Sequence, residues 1–344
     1  MRGAATAGGD PAQAADGIES IMQLGGESLR GAMARIEEHL ERVTSESGVP
    51  LSPHAHATVR AGGKRLRPLL VILAAHAAGE DTLDADGGMA VVRAAVAVEL
   101  VHSATLVHDD IIDDADVRRG QPTVSAVAGR HAALATGDLL FSRAFAELAQ
   151  SGSIPQLRAL SIASSALAEG ELLQREDAYA EVVPLERYLR RCELKTAALF
   201  EAACRMGALS AAGSPSLARE LGHFARRIGL AFQILDDVLD VSGPIERTGK
   251  APGTDLLDGT VTLPLIIARE REATIAAADL RALRGADDAR ALCERIAATG
   301  ALQESRERAM DIVTEAKAAL PAILPDGRSG MLELVADAVV ERYR

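Results

Sequence analysis

Two stretches of this chain carry carboxylates at a spacing that can do chemistry. In LVHDDIIDDADVRRGQPT, residues 106–123, the acids Asp109, Asp110 and Asp113 follow directly on a long apolar run. Asp114, Asp116 and the cations Arg118 and Arg119 come just behind. Far downstream, RRIGLAFQILDDVLDVSG repeats the design with Asp236, Asp237 and Asp240. Both triplets read DDxxD. On an ideal helix their positions fall at roughly 0°, 100° and 40°, so each triplet offers its carboxylates from one face. Acids at the end of a helix meet the negative pole of its dipole, and clustered carboxylates resist ionisation unless something neutralises them. Neither triplet has Lys or Arg at a helical offset that would pair with it. Oxygen-only donors of this kind suit a hard divalent cation, and Mg²⁺ binds through one or two carboxylates with phosphate oxygens in its shell. A zinc site would recruit His or Cys; His108 is adjacent, but no HxxxH spacing accompanies it. The residue pattern of an EF-hand is absent as well.

Cations suited to the other half of such a site gather in AGGKRLRPLL, residues 61–70. Lys64, Arg65 and Arg67 crowd beside Gly62 and Gly63, where glycine permits close backbone approach and an Arg fork matches phosphate oxygens. This is not a Walker A loop, since GxxxxGK[ST] is missing. Further basic points, Arg118, Arg119, Lys195 and Lys250, punctuate predicted helix ends. Carboxylates for a cation together with cations for phosphate imply a substrate with phosphate-rich ends.

The elements that must position these groups are helices. Apolar periodicity of helical type recurs from about residue 28 onward, broken only by short turns such as GQPT, SGSIP and LPDGRSG. The stretch MAVVRAAVAVELVHSATLV is apolar almost all round, as a helix inside a large bundle is. There is no Trp, with five Phe and three Tyr, and β-branched residues are sparse, which favours helix over sheet. The fold class expected is all-α, one large helical bundle over residues 26–344 after a disordered segment at 1–25. A formal charge of −12 argues against a nucleic-acid or anionic-membrane binder. Cys192, Cys204 and Cys293 lack metal or redox spacing and read as buried thiols of a cytoplasmic protein. No run of 18 uninterrupted apolar residues is present, so no membrane span is expected.

With both DDxxD motifs and GGKRLRP in view, the chain resembles the trans-isoprenyl diphosphate synthases, the polyprenyl synthetase family. ELVHSATLVHDDIIDDADVRRGQPT, GELLQ, ELKTAALFEAA, FQILDDVLD and GTDLLDGTVTLPL stand in the family's order from about residue 30 to the C-terminus. The resemblance implies a bundle around a central cavity, in which two aspartate-rich helices hold three Mg²⁺ on an allylic diphosphate. It implies that Asp109, Asp110, Asp113, Asp236, Asp237 and Asp240 form the metal face. Arg118, Lys195 and Lys250 would contact the allylic diphosphate, with Thr196 and Gln233 beside them. Lys64, Arg67, His102 and Arg119 would hold isopentenyl diphosphate. The reaction implied is ionisation of the allylic diphosphate, attack by the isopentenyl double bond and loss of a proton. A homodimer is implied too. The sequence departs from the family where Thr260 and Leu257 replace a frequent Lys and Arg.

In this family, bulk one or two turns before the first DDxxD limits chain growth. Val101, Ala104 and Thr105 stand there and none is aromatic, which points to products longer than geranylgeranyl. Phe145 or Phe141 could supply a floor from another helix. The alternatives are a short-chain synthase, a non-catalytic subunit of a heteromeric synthase and, at greater distance, a terpene cyclase, which usually lacks the second DDxxD.

Overall fold

The computed structural model describes residues 11–45, 50–79, 88–211, 213–243, 252–324 and 328–341. These residues are helical except for turns and one small hairpin. They form two compact units, one of Gly25–Glu169 with Leu194–Arg226, here the N-terminal unit, and one of the remainder, the C-terminal unit.

The stretch expected to be disordered as far as residue 25 carries helix α1 (Pro11–Leu24), which packs on the last helix of the chain within the C-terminal unit. Fully buried Ile21 on α1 explains why this Ala/Gly-rich segment folds. Residues 1–10 lie outside the described residues.

In the N-terminal unit, α2 (Gly26–Thr44), α3 (Ser52–Arg60) and α4 (Leu66–Ala77) lead to α5 (Gly88–Ile112). The expected all-round apolar character of α5 is borne out: Val91, Ala95, Val98, Leu100, Val101 and Ala104, spread around its circumference, are each at most 1 % exposed. By length and composition α5 could cross a bilayer, but most of it is buried among α2, α4 and later helices. After α5 the chain makes a short antiparallel ribbon, β1 (Val117–Arg118) with β2 (Gln121–Pro122). Arg119 and Gly120 form its tip at φ 52° and 74°, and positive φ at both central residues marks a type I′ turn. The chain then enters α6 (Val124–Ala128), where Thr123 accepts from the Ala126 N–H at 3.1 Å and donates to the Ala115 carbonyl at 2.7 Å. That pair of bonds closes the loop behind the first acidic triplet. Helix α7 (Arg130–Ser151) lies along α5.

Helix α8 (Ile154–Glu176) and α9 (Leu185–Cys192) follow. The expected single helix from Pro184 to Ser210 is interrupted by a π turn, Glu193–Ala197, before α10 (Ala198–Ser210). A π turn inside a helix is rare and recurs at functional sites; this one holds Lys195 and Thr196. Helix α11 (Pro215–Ser242) carries the second triplet, followed by α12 (Thr254–Leu257) and α13 (Leu263–Arg271). The C-terminal unit is completed by α14 (Ala273–Ala276), α15 (Ala286–Ala298), α16 (Ala301–Ile323) and α17 (Gly330–Glu341). Cys192, Cys204 and Cys293 are free and buried, as expected of structural thiols.

Candidate active site

The N-terminal unit gathers a cluster of arginines around His102. This half-buried imidazole is held well below its ordinary pKa, first by burial and then by the charges of Arg67, Arg119, Arg118 and Arg65. Its imidazole is thus held toward the neutral form. Arg67 lies over the Phe200 ring, 5.1 Å from its centroid, so an aromatic face from α10 steadies that guanidinium. Gly63 lies against Arg119: an added Cβ would stand 2.8 Å from Nη1. The end of the Arg119 side chain therefore lies against the loop that bears exposed Lys64. Arg67 and Arg119 stand close enough to His102 for their charges to act on it, and Lys64 is exposed. His102 precedes Asp109 by two helical turns, which puts both on the same side of α5.

The first acidic triplet ends α5. Asp113 is exposed and Asp109 half-buried, whereas Asp110 is 6 % exposed. Asp110 accepts from Arg118 Nε at 2.5 Å. The sequence suggested acids without a basic partner, and for Asp110 this is corrected. The partner comes from the hairpin rather than from the helix, so a search of helical offsets passes over it. Asp114 (φ 51°) and Asp116 belong to the loop; exposed Asp114 is 3.6 Å from Arg130.

The second triplet, in the C-terminal unit, is built on the same plan with different chemistry. Asp236 and Asp240 are half-buried, and Asp237 is 4 % exposed. Asp237 accepts from the Tyr188 hydroxyl at 2.7 Å and from Gln233 Nε2 at 2.8 Å. Burial pushes its carboxyl up, to about 7, with the nearby charge of Asp255 adding to the shift and the Tyr188 and Gln233 bonds opposing it. Tyr188 is fully buried, and its phenol is pushed well above the ordinary value by burial and by Asp237. Asp240 accepts from the Asp255 N–H at 3.2 Å, at the start of α12. Arg191 donates to the Val261 carbonyl at 2.6 Å, and Tyr179 to the Leu257 carbonyl at 3.2 Å, so the segment containing Leu257 and Thr260 is tied down from α9 and from the turn after α8. Lys250 lies outside the described residues. Lys195 is half-buried and Thr196 buried in the π turn, in the N-terminal unit.

Of the positions expected to limit chain length, Val101 and Ala104 are fully buried. Thr105 is half-buried and donates to the His102 carbonyl at 2.8 Å. Phe145 is half-buried on α7, while Phe141 lies nearer the acids, its ring centroid 5.9 Å from that of His108. Sequence reasoning missed Tyr188, Asp255, Glu37 and Glu99. Tyr188 could have been suspected as one of only three tyrosines in the chain, because a buried phenol needs a partner. The others are ordinary acids until the fold joins them.

The donors fit a hard divalent cation. Each triplet is all carboxylate, and among the described residues no cluster of three or more His, Cys, Asp or Glu side chains stands preassembled. A shell completed by phosphate oxygens and water, the habit of Mg²⁺, suits donors so few.

An all-helical chain thus carries two DDxxD helix ends, with a cluster of guanidiniums beside the first. The polyprenyl synthetase family model matches residues 50–297, and the chain belongs to that family. It is a prenyltransferase. The chain is 42 % identical over 249 residues to heptaprenyl diphosphate synthase component 2 of Geobacillus stearothermophilus, covering 72 % of this chain and 76 % of that protein. It is 36 % identical over 313 residues to octaprenyl diphosphate synthase of Escherichia coli, covering 90 % and 94 %. The fold matches that of a Caulobacter crescentus polyprenyl synthase complexed with calcium and isoprenyl diphosphate. There the TM-score is 0.84 at 35 % identity, over 95 % of this chain and 98 % of that one.

Proposed function

We propose that the chain condenses isopentenyl diphosphate with an allylic diphosphate and makes a linear all-trans polyprenyl diphosphate longer than geranylgeranyl diphosphate. The observation that carries this is the placement on one helix of His102, with its guanidinium pocket, and the DDxxD of Asp109–Asp113, two turns apart. Lys64, Arg67, His102 and Arg119 hold the diphosphate of isopentenyl diphosphate, the neutral imidazole acting as a hydrogen-bond partner. Arg118, Lys195, Thr196, Gln233 and Lys250 serve the allylic diphosphate. Of the six aspartates expected to form the metal face, Asp109, Asp113, Asp236 and Asp240 are the more open and bind divalent cations, for which we propose three Mg²⁺ with diphosphate bound. Asp110 and Asp237 stand behind them, held by Arg118 and by Tyr188 with Gln233. The bound cations supply Lewis-acid stabilisation of the departing diphosphate. As the allylic C–O bond breaks, Arg118 and Lys195 stabilise the charge that develops on the leaving oxygens. The isopentenyl double bond then attacks, and the proton lost passes to the released diphosphate.

The small residues Ala104 and Thr105 on α5 support a long product, and so does the octaprenyl synthase likeness. We further propose one catalytic domain over residues 26–344, a cytoplasmic location and a homodimer. Exposed Val127, Leu134, Ile154 and Ile162, at 66 %, 53 %, 69 % and 56 %, offer apolar surface to a second copy. The name of the Geobacillus relative, a component 2, favours a second reading in which the chain works with a different subunit. The test is incubation of the purified protein with Mg²⁺, labelled isopentenyl diphosphate and each allylic starter from dimethylallyl to geranylgeranyl diphosphate, with products sized after dephosphorylation. A ladder ending beyond C20 is expected. An end point at C15 or C20 would assign a short-chain synthase, and no product with any starter would favour the heteromeric reading.

A further inference from the structure

Arg65 stands between Lys64 and Arg67, yet its side chain turns to the protein. Its Nε donates to Glu37 Oε1 at 2.7 Å and its Nη2 to Glu37 Oε2 at 3.2 Å. The same Nη2 reaches the Val59 carbonyl at 2.8 Å, and Nη1 reaches Glu99 Oε1 at 2.8 Å. Glu37 belongs to α2; Glu99 belongs to α5, where it is 5 % exposed and one turn before His102. Burial opposes the charge on Arg65, but the bonds and charges of Glu37 and Glu99 outweigh it, and the guanidinium is held above its ordinary pKa. Its charge is thus spent on two carboxylates and adds little attraction for an incoming anion.

The backbone carries the second observation. Arg65 is left-handed, at φ 47° and ψ 36°, where the loop enters α4. A side chain other than glycine is held there only when its surroundings impose it. Leu69 N–H donates to the Arg65 carbonyl at 3.0 Å, so the same residue starts the helix that presents Arg67. Arg119, at φ 52°, is a second left-handed arginine at the pocket. Two left-handed arginines thus flank His102, and at the first the guanidinium joins α2, α5 and the Val59 carbonyl of α3.

We infer that Arg65 is a positioning residue: clamped to Glu37 and Glu99, it sets Lys64 and Arg67 against His102 for the diphosphate of isopentenyl diphosphate, a role that rests on the pocket proposed above. Removing the clamp leaves every ligand in place but loosens the loop, so the loss falls on one substrate.

The experiment is steady-state kinetics on wild type, Glu37→Gln, Arg65→Lys and Arg65→Gln with both substrates varied, each variant first checked by thermal melting. The KM for isopentenyl diphosphate should rise by about tenfold in Glu37→Gln and further in Arg65→Gln, the KM for the allylic diphosphate staying within about twofold. Arg65→Lys keeps the charge without the fork and should fall between wild type and Arg65→Gln. If Arg65→Gln fails to fold, Arg65→Lys and Glu37→Gln decide, since the Glu37 side chain is 45 % exposed. An unchanged KM for isopentenyl diphosphate in both, or an equal rise for both substrates, would overturn the role. Failure of the wild type to elongate any starter would instead remove the reaction itself.

Discussion

The two acidic triplets share a spacing and differ in how the middle carboxylate is compensated. Asp110 is met by a full positive charge, Arg118, at 2.5 Å. Asp237 is met by neutral donors, Tyr188 and Gln233, with the acid Asp255 close enough to raise it further. The same sequence word thus yields one buried acid held by an ion pair and one, held by neutral donors, whose carboxyl is pushed up to about 7. In both, the flanking acids are the more exposed ones. A one-residue step turns the helix by about 100°, which carries the middle acid off the outward face and onto whatever packs beside it. The comparison teaches that one DDxxD spacing leaves its end acids the more open and anchors its middle acid by whatever packs beside the helix.

The comparison can be broken in four places. Asp109→Ala and Asp236→Ala should each lower turnover on the order of a thousandfold or more while leaving the helical circular-dichroism signal intact, because each removes a carboxylate donor for the cations that stabilise the leaving group. Wild-type turnover in either would remove that end acid from the cation site. Asp110→Asn should come next, destabilising the fold by about 2 kcal/mol in chemical denaturation, since Arg118 loses a charge-assisted bond. Equal stability would mean the ion pair contributes nothing. Tyr188→Phe should cost about 1 kcal/mol by the same measurement, through a hydrogen bond lost to a buried acceptor. It should also push the Asp237 carboxyl higher still, because that bond lowers it.

The smallest effect is in pH dependence. Asp237 has a folded-state pKa of about 7 against an ordinary 3.8. A carboxyl raised on folding adds stability below its unfolded pKa and loses it as pH climbs through the folded value. Without divalent cations, the melting temperature of wild type relative to Asp237→Asn should therefore fall between about pH 4 and 7 and then level off. A difference that rises over this window would reverse the assignment of burial as the cause.

How much of this was legible in the sequence varies by level. The helical architecture was, because apolar periodicity survives in α2 and α11 and no β-rich stretch competes with it. The π turn was not: ELKTA reads as ordinary helix, and only the fold inserts the extra residue that sets Lys195 and Thr196 apart. The hairpin was hidden as well, since Arg119 is an uncommon choice for a left-handed turn position. Helix α1 was hidden by its Ala/Gly-rich composition, its burial depending on a helix some three hundred residues away. At the site, types and spacing announced the acids and cations. The burial of Asp110 and Asp237, the Tyr188 contact and the Arg65 clamp were not readable, because each joins residues from separate elements.

The most direct measurement is incorporation of labelled isopentenyl diphosphate into acid-labile prenyl product by the wild-type protein, with an allylic starter, in Mg²⁺ and in excess EDTA. Incorporation that depends on Mg²⁺ is expected, vanishing with EDTA and returning when the cation is restored. Undiminished incorporation in EDTA would contradict the carboxylate–cation account, and no incorporation with any starter would contradict chain elongation by this protein alone.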